Sequence, residues 1–115
     1  MGRLTTHILD TSRGKPAANV AIRLIRLQPE RETVVHAQSN SDGRTDTPLL
    51  AAETMLAGQY ELEFDIGDYF RSAGLIVDDP AFLETVVIRF SVSADEHYHV
   101  PLLASPWSYS TYRGS

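Results

Sequence analysis

Gln59-Tyr60-Glu61-Leu62-Glu63-Phe64-Asp65-Ile66 is the stretch whose reading decides the fold class. Tyr60, Leu62, Phe64 and Ile66 alternate with Gln59, Glu61, Glu63 and Asp65. Successive side chains of a strand point to opposite faces, so this period of two describes a strand with one face in a core and one in water. Val86, Ile88, Phe90 and Val92 alternate in the same way with Thr85, Val87, Arg89 and Ser91. Residues 23–27 and 33–37 are shorter runs rich in β-branched side chains, separated by Pro29-Glu30-Arg31, and they read as a hairpin. Asp42-Gly43 marks a further tight turn, because glycine accepts the positive φ that such turns require. Short strands punctuated this often predict an all-β sandwich.

Two stretches carry helical signals instead. Thr47-Pro48, the run 49–56 and Gly58 supply a cap, a proline at the first helical position and a glycine stop, so local propensity predicts a helix there. Residues 68–73, ended by Gly74, are a second and shorter candidate. No internal repeat or linker divides the chain, and residues 1–115 read as a single domain.

The composition narrows the function classes. A chain of 115 residues without cysteine has neither disulfides nor thiolate metal sites, and it can bury one core without staples. Fifteen acidic against ten basic residues give a net charge of −5, which repels phosphate backbones, and the arginines form no stripe. Nucleic-acid binding is therefore not expected. No apolar run approaches the ~20 residues of a membrane helix, and Thr5, Thr6 and His7 interrupt any N-terminal signal segment. The expected location is cytoplasmic, although a removed presequence would leave no trace.

The chemistry-bearing residues gather toward the two ends. In His97-Tyr98-His99-Val100-Pro101-Leu102-Leu103, alternation sends Tyr98, Val100, Leu102 and Ala104 to the core. His97 and His99 then share the outer face, about 7 Å apart at the usual strand rise. Such a pair fits three readings: solvated side chains, a metal site, or acid–base groups in a cleft. In Leu4-Thr5-Thr6-His7-Ile8-Leu9, the inward set is Leu4, Thr6 and Ile8, so His7 points outward as well. Arg44, next to the Asp42-Gly43 turn, taken alone is an ordinary solvated arginine. The ending Pro106-Trp107-Ser108-Tyr109-Ser110-Thr111-Tyr112-Arg113-Gly114-Ser115 is aromatic and strand-like. Chain ends are usually small and polar, so Trp107, Tyr109 and Tyr112 are expected to pack, and Arg113 could hold the terminal carboxylate by a charge-assisted pair.

Two stretches resemble the signatures of the transthyretin-like family: His7-Ile8-Leu9-Asp10 with Gly14-Lys15-Pro16-Ala17 and Val20-Ala21-Ile22, and the run from Tyr98-His99-Val100-Pro101 to Pro106-Trp107-Ser108-Tyr109. Asp42-Gly43-Arg44 and Gly58-Gln59-Tyr60-Glu61-Leu62 sit where that family has similar motifs. The resemblance implies a β-sandwich of two four-stranded sheets with one short helix at about residues 68–73, and makes the 48–56 segment a loop after a short strand. It implies hydrolytic opening of 5-hydroxyisourate in urate degradation, since Tyr112-Arg113-Gly114-Ser115 is similar to the ending of the family's hydrolase branch. A small-ligand carrier without catalysis is the alternative. The resemblance also implies His7, Arg44 and His99 as catalytic residues, Tyr112, Arg113, Gly114 and Ser115 as substrate-binding residues, no cofactor or metal, and a homotetramer with sites between its dimers. Ala104 departs from the family's usual leucine, on the core face.

Overall fold

The computed structural model describes residues 2–114. Its strands, in chain order, are β1 (Arg3–Thr5), β2 (Ile8–Asp10), β3 (Lys15–Pro16), β4 (Ala21–Arg26), β5 (Glu32–Gln38), β6 (Leu50–Ala51) and β7 (Gly58–Phe64). A helix, α1 (Ile66–Ser72), precedes β8 (Val86–Val92), β9 (Tyr98–His99), β10 (Leu102–Ala104) and β11 (Tyr109–Ser110). The alternating stretches form one antiparallel sheet in the order β5-β4-β7-β8. The expected hairpin is its β4–β5 edge, with Leu24 opposite Val35. On β7, Tyr60, Leu62 and Phe64 are almost completely buried, as their period of two requires.

The facing layer comprises two sheets, β6-β1-β9 and β11-β10-β2-β3. They are continuous through the main chain. The amide of Val100 donates to Thr5 at 2.9 Å and the amide of Leu102 donates to His7 at 2.8 Å, so one parallel ladder runs from β1–β9 into β2–β10. The ladder narrows at Pro101, which has no N–H to contribute. Leu4, Ile8, Leu102 and Ala104 from this layer have no exposed surface and join Ile22, Leu24, Leu62 and Phe64 in one apolar cluster. Each large side chain so buried contributes roughly 1.5–3 kcal/mol of transfer free energy, which makes this cluster the main support of the sandwich.

The short helix lies where the resemblance implies, with its bounds shifted, and two other expectations need correction. The helix begins at Ile66 and ends at Ser72, two residues before the expected start and one before the expected end. Ile66 therefore belongs to α1 and not to the preceding strand; it is fully buried in either setting, so its hydrophobicity could not locate the boundary. The segment following Pro48 is not a helix. Leu49 donates its amide to the Leu4 carbonyl at 2.8 Å, β6 pairs with β1, and only a single 3-10 turn follows at Ala52–Thr54. Burial of Leu49 and Leu50 in the core outweighs the capping signals around them. Finally, Trp107, Tyr109 and Tyr112 do not enter the core: they are 60%, 45% and 60% exposed, and Trp107 meets only the likewise exposed ring of Phe82 among the aromatic side chains described. β11 is an edge strand of two residues, and its one ring, Tyr109, stands clear of the core.

Candidate active site

Strand register brings four distant pieces of chain side by side. Thr5 lies opposite His99 in the parallel β1–β9 pair. His7, two residues beyond Thr5 on the same face, lies opposite Arg44, and His99 lies opposite Gly114 on its other side. Directly opposed residues share a face of the sheet, so Arg44, His7, Thr5 and His99 emerge together on the outer surface of the layer. Thr5, Arg44 and His99 line a groove of about 500 Å³ together with Arg3 and His97, and His7 stands beside Arg44 next to it.

Each position has a local cause. Gly43 has φ 74°, and a Cβ there would collide with the carbonyl oxygen of Ile8. Only glycine lets this turn approach β2 closely enough for the Gly43 carbonyl to accept from the Ile8 amide at 2.8 Å. The Asn40 side chain then accepts from the amides of Asp42 at 2.9 Å and Arg44 at 3.2 Å, fixing the arginine beside His7. Thr6, inward as expected, anchors the strand by donating from its hydroxyl to the Val100 carbonyl at 2.7 Å.

Both imidazoles favour the neutral form. Partial burial lowers the affinity of His7 for a proton, and the Arg44 charge lowers it further, against a smaller opposing effect of the Asp42 carbonyl and carboxylate. For His99 the causes are burial, then Arg44, then His7. Nδ1 of His99 lies 2.8 Å from the Thr5 hydroxyl. Two neutral imidazoles beside a guanidinium can accept a proton from water and stabilise an oxyanion.

The C-terminal residues divide. Gly114 lies against His99, donating its amide to the His99 carbonyl at 2.7 Å, and a Cβ on it would stand 2.8 Å from Cδ2 of the ring. Arg113 turns away from the groove. Its Nη2 reaches Glu96 at 2.9 Å and the His97 carbonyl at 3.2 Å, while the guanidinium carbon sits 4.2 Å from the centre of the Tyr98 ring. Tyr112 and Arg113 border a separate cavity of about 220 Å³ beside Ile88 and Val100. Ser115, and with it the expected contact of the terminal carboxylate, lies outside the described residues. His97 is exposed at the groove's rim. Among the described residues no three histidine or carboxylate side chains converge as a metal site would require. Sequence reasoning missed Asn40 and Thr5; the alternation that turned His7 outward also placed Thr5 on that face.

The sequence pattern of the HIUase/Transthyretin family matches residues 4–114. The chain is 55% identical over 117 residues to a 5-hydroxyisourate hydrolase of Ralstonia nicotianae, with 100% of each chain covered. The solved structure of a Klebsiella pneumoniae 5-hydroxyisourate hydrolase superposes with a TM-score of 0.84 at 36% identity, covering 100% of both chains. An (S)-allantoin synthase superposes over 99% of this chain with a TM-score of 0.93 and 46% identity, and the chain spans 44% of that protein's length.

Proposed function

Since the chain belongs to the HIUase/Transthyretin family, we propose that it hydrolyses 5-hydroxyisourate to 2-oxo-4-hydroxy-4-carboxy-5-ureidoimidazoline, a step of urate degradation, with His7, Arg44 and His99 as its catalytic residues. The observation that carries the mechanism is the row of Arg44, His7, Thr5 and His99 on one face of the sheet beside the groove, with both imidazoles biased toward the neutral base. One of the two histidines takes a proton from water as its oxygen attacks a ring carbonyl. A positioned base of this kind contributes roughly 10²- to 10⁴-fold. The tetrahedral oxyanion forms toward Arg44, whose fork of donors suits a planar, electron-rich ring. Collapse of the intermediate breaks the ring C–N bond, the departing nitrogen recovers a proton from the imidazolium, and the new acid ionises to a carboxylate. This scheme uses no cofactor.

Gly114 closes the groove against His99, and Arg113 holds the tail that carries it. Tyr112 and Ser115 complete the substrate contacts in this reading. The assembly that fits is a homotetramer, a dimer of dimers, with the grooves at the dimer–dimer interface. The exposed rings of Trp107, Tyr109 and Tyr112 support it, because surfaces of this kind are usually covered by a partner. No helix among the described residues is long and apolar enough to cross a membrane, and we place the enzyme in the cytoplasm.

The test is to generate 5-hydroxyisourate in situ from urate and follow its decay with the protein present. Accelerated decay supports the hydrolase. Decay at the spontaneous rate, accompanied by tight binding of a thyroid-hormone-like ligand, would make the groove a carrier site instead.

A further inference from the structure

Thr5 is the one polar side chain of the groove row that the mechanism above does not use, yet its hydroxyl lies 2.8 Å from Nδ1 of His99. The pairing is built into the fold. Thr5 and His99 are register partners in the β1–β9 ladder, and the Val100 amide locks that register by donating to the Thr5 carbonyl at 2.9 Å. Gly114 lies against the ring at Cγ and Cδ2, so the imidazole has little room to rotate.

We propose that Thr5 is a positioning residue for the reaction: its hydroxyl accepts a hydrogen bond from Nδ1–H of His99, and this fixes the tautomer in which Nε2 carries the lone pair toward the groove. The assignment rests on the reading of His99 as a catalytic residue. A hydroxyl can donate or accept, so its presence alone does not choose the tautomer. The choice comes from Arg44, whose positive charge acts on the His99 ring and on the same groove. A lone pair turned toward a cation is favoured over an N–H turned toward it, which leaves the proton on Nδ1 and the hydroxyl as acceptor. The other ring nitrogen is then free to take the proton of the attacking water. Without the hydroxyl, Nδ1–H loses its acceptor and only the Arg44 charge opposes the other tautomer, so part of the neutral population would present a donor where a base is needed.

Thr5→Val keeps the shape and the strand preference of the side chain and removes only the hydroxyl; Thr5→Ser keeps the hydroxyl. The expected result for Thr5→Val is a roughly tenfold lower kcat with KM nearly unchanged, on the scale of one hydrogen bond. The nitrogen-15 shifts of the His99 ring should move from a single tautomer toward a mixture. Thr5→Ser should restore both the rate and the shifts, which a purely structural role of the methyl group would not allow. Wild-type kcat and unmoved ring shifts in Thr5→Val would overturn the proposal. His99→Ala, run in parallel, separates the two failures. If it is inactive while Thr5→Val is unaffected, only the role of Thr5 falls; if it turns over at the wild-type rate, the catalytic reading of His99 falls and the proposal with it.

Discussion

Gly114→Ala is a small perturbation aimed at the closest contact between the C-terminal tail and the catalytic face. An added Cβ would stand 2.8 Å from Cδ2 of His99, 3.0 Å from its Cβ and 3.2 Å from its Cγ. Ordinary van der Waals contact begins at 3.4 Å, so the ring or the tail must move by about 0.6 Å. The tail is held by the 2.7 Å bond from the Gly114 amide to the His99 carbonyl and by the ion pair of Arg113 with Glu96. The imidazole is held by Thr5. The tail has two such contacts and the imidazole one, so the ring yields, and its displacement from the groove costs about tenfold in rate, given that a misplacement near 1 Å can cost ~10²-fold. The tail lies outside the apolar cluster, so the melting temperature should shift by no more than a degree or two. The assay is the decay of 5-hydroxyisourate produced in situ, with thermal unfolding measured on the same sample. A Gly114→Ala protein with wild-type turnover would refute the claim that the tail positions His99; a large fall in melting temperature would show that the tail supports the fold instead.

Three further outcomes follow from the electrostatics and the polar interior. His7 and His99 bind protons less tightly than the ordinary histidine value of 6.5, so both are neutral at pH 7 and the acid limb of kcat/KM should fall below pH 6.5, as read from a pH–rate profile. The same shifts make the unfolded chain the better proton binder below that value, so the contribution of these two groups to stability should decrease as pH falls through 6.5, as unfolding titrations would record. Tyr69→Phe should lower stability by about 1–2 kcal/mol, because its hydroxyl donates at 2.7 Å to the fully buried Asp10 carboxylate and accepts from Arg13. Its ring-opening rate should be unchanged, since Tyr69 borders a different cavity from the histidine groove.

Period-two patterning was sufficient to read β7 and β8, and two β-branched runs flanking Pro29-Glu30-Arg31 were sufficient to read the β4–β5 hairpin; the polar face of β7 is not all wet, since Glu61 is buried beneath Arg31 and Arg89. The patterning also turned His7 and His99 outward correctly. It could not bring them together. That depends on Thr5 pairing with His99 across more than ninety positions of sequence and on Gly43 approaching Ile8, both of which are long-range events. The helix expected after Pro48 shows the opposite failure. Its capping signals are local, but Leu49 and Leu50 are worth more in the core, and their main chain finds a partner in β1. Trp107, Tyr109 and Tyr112 were legible as side chains that need cover, while the sequence was silent on whether that cover lies in the same chain. Arg113 was expected to hold the terminal carboxylate, which lies outside the described residues; the carboxylate it meets is that of Glu96, which no spacing argument identified.

The most direct measurement is the decay of fresh 5-hydroxyisourate in the presence of wild-type protein and of His7→Ala, Arg44→Ala and His99→Ala, each checked for a native circular dichroism spectrum. The expected result is rapid decay with the wild type and loss of at least two orders of magnitude in each folded variant. Wild-type turnover by a folded His99→Ala protein would contradict it.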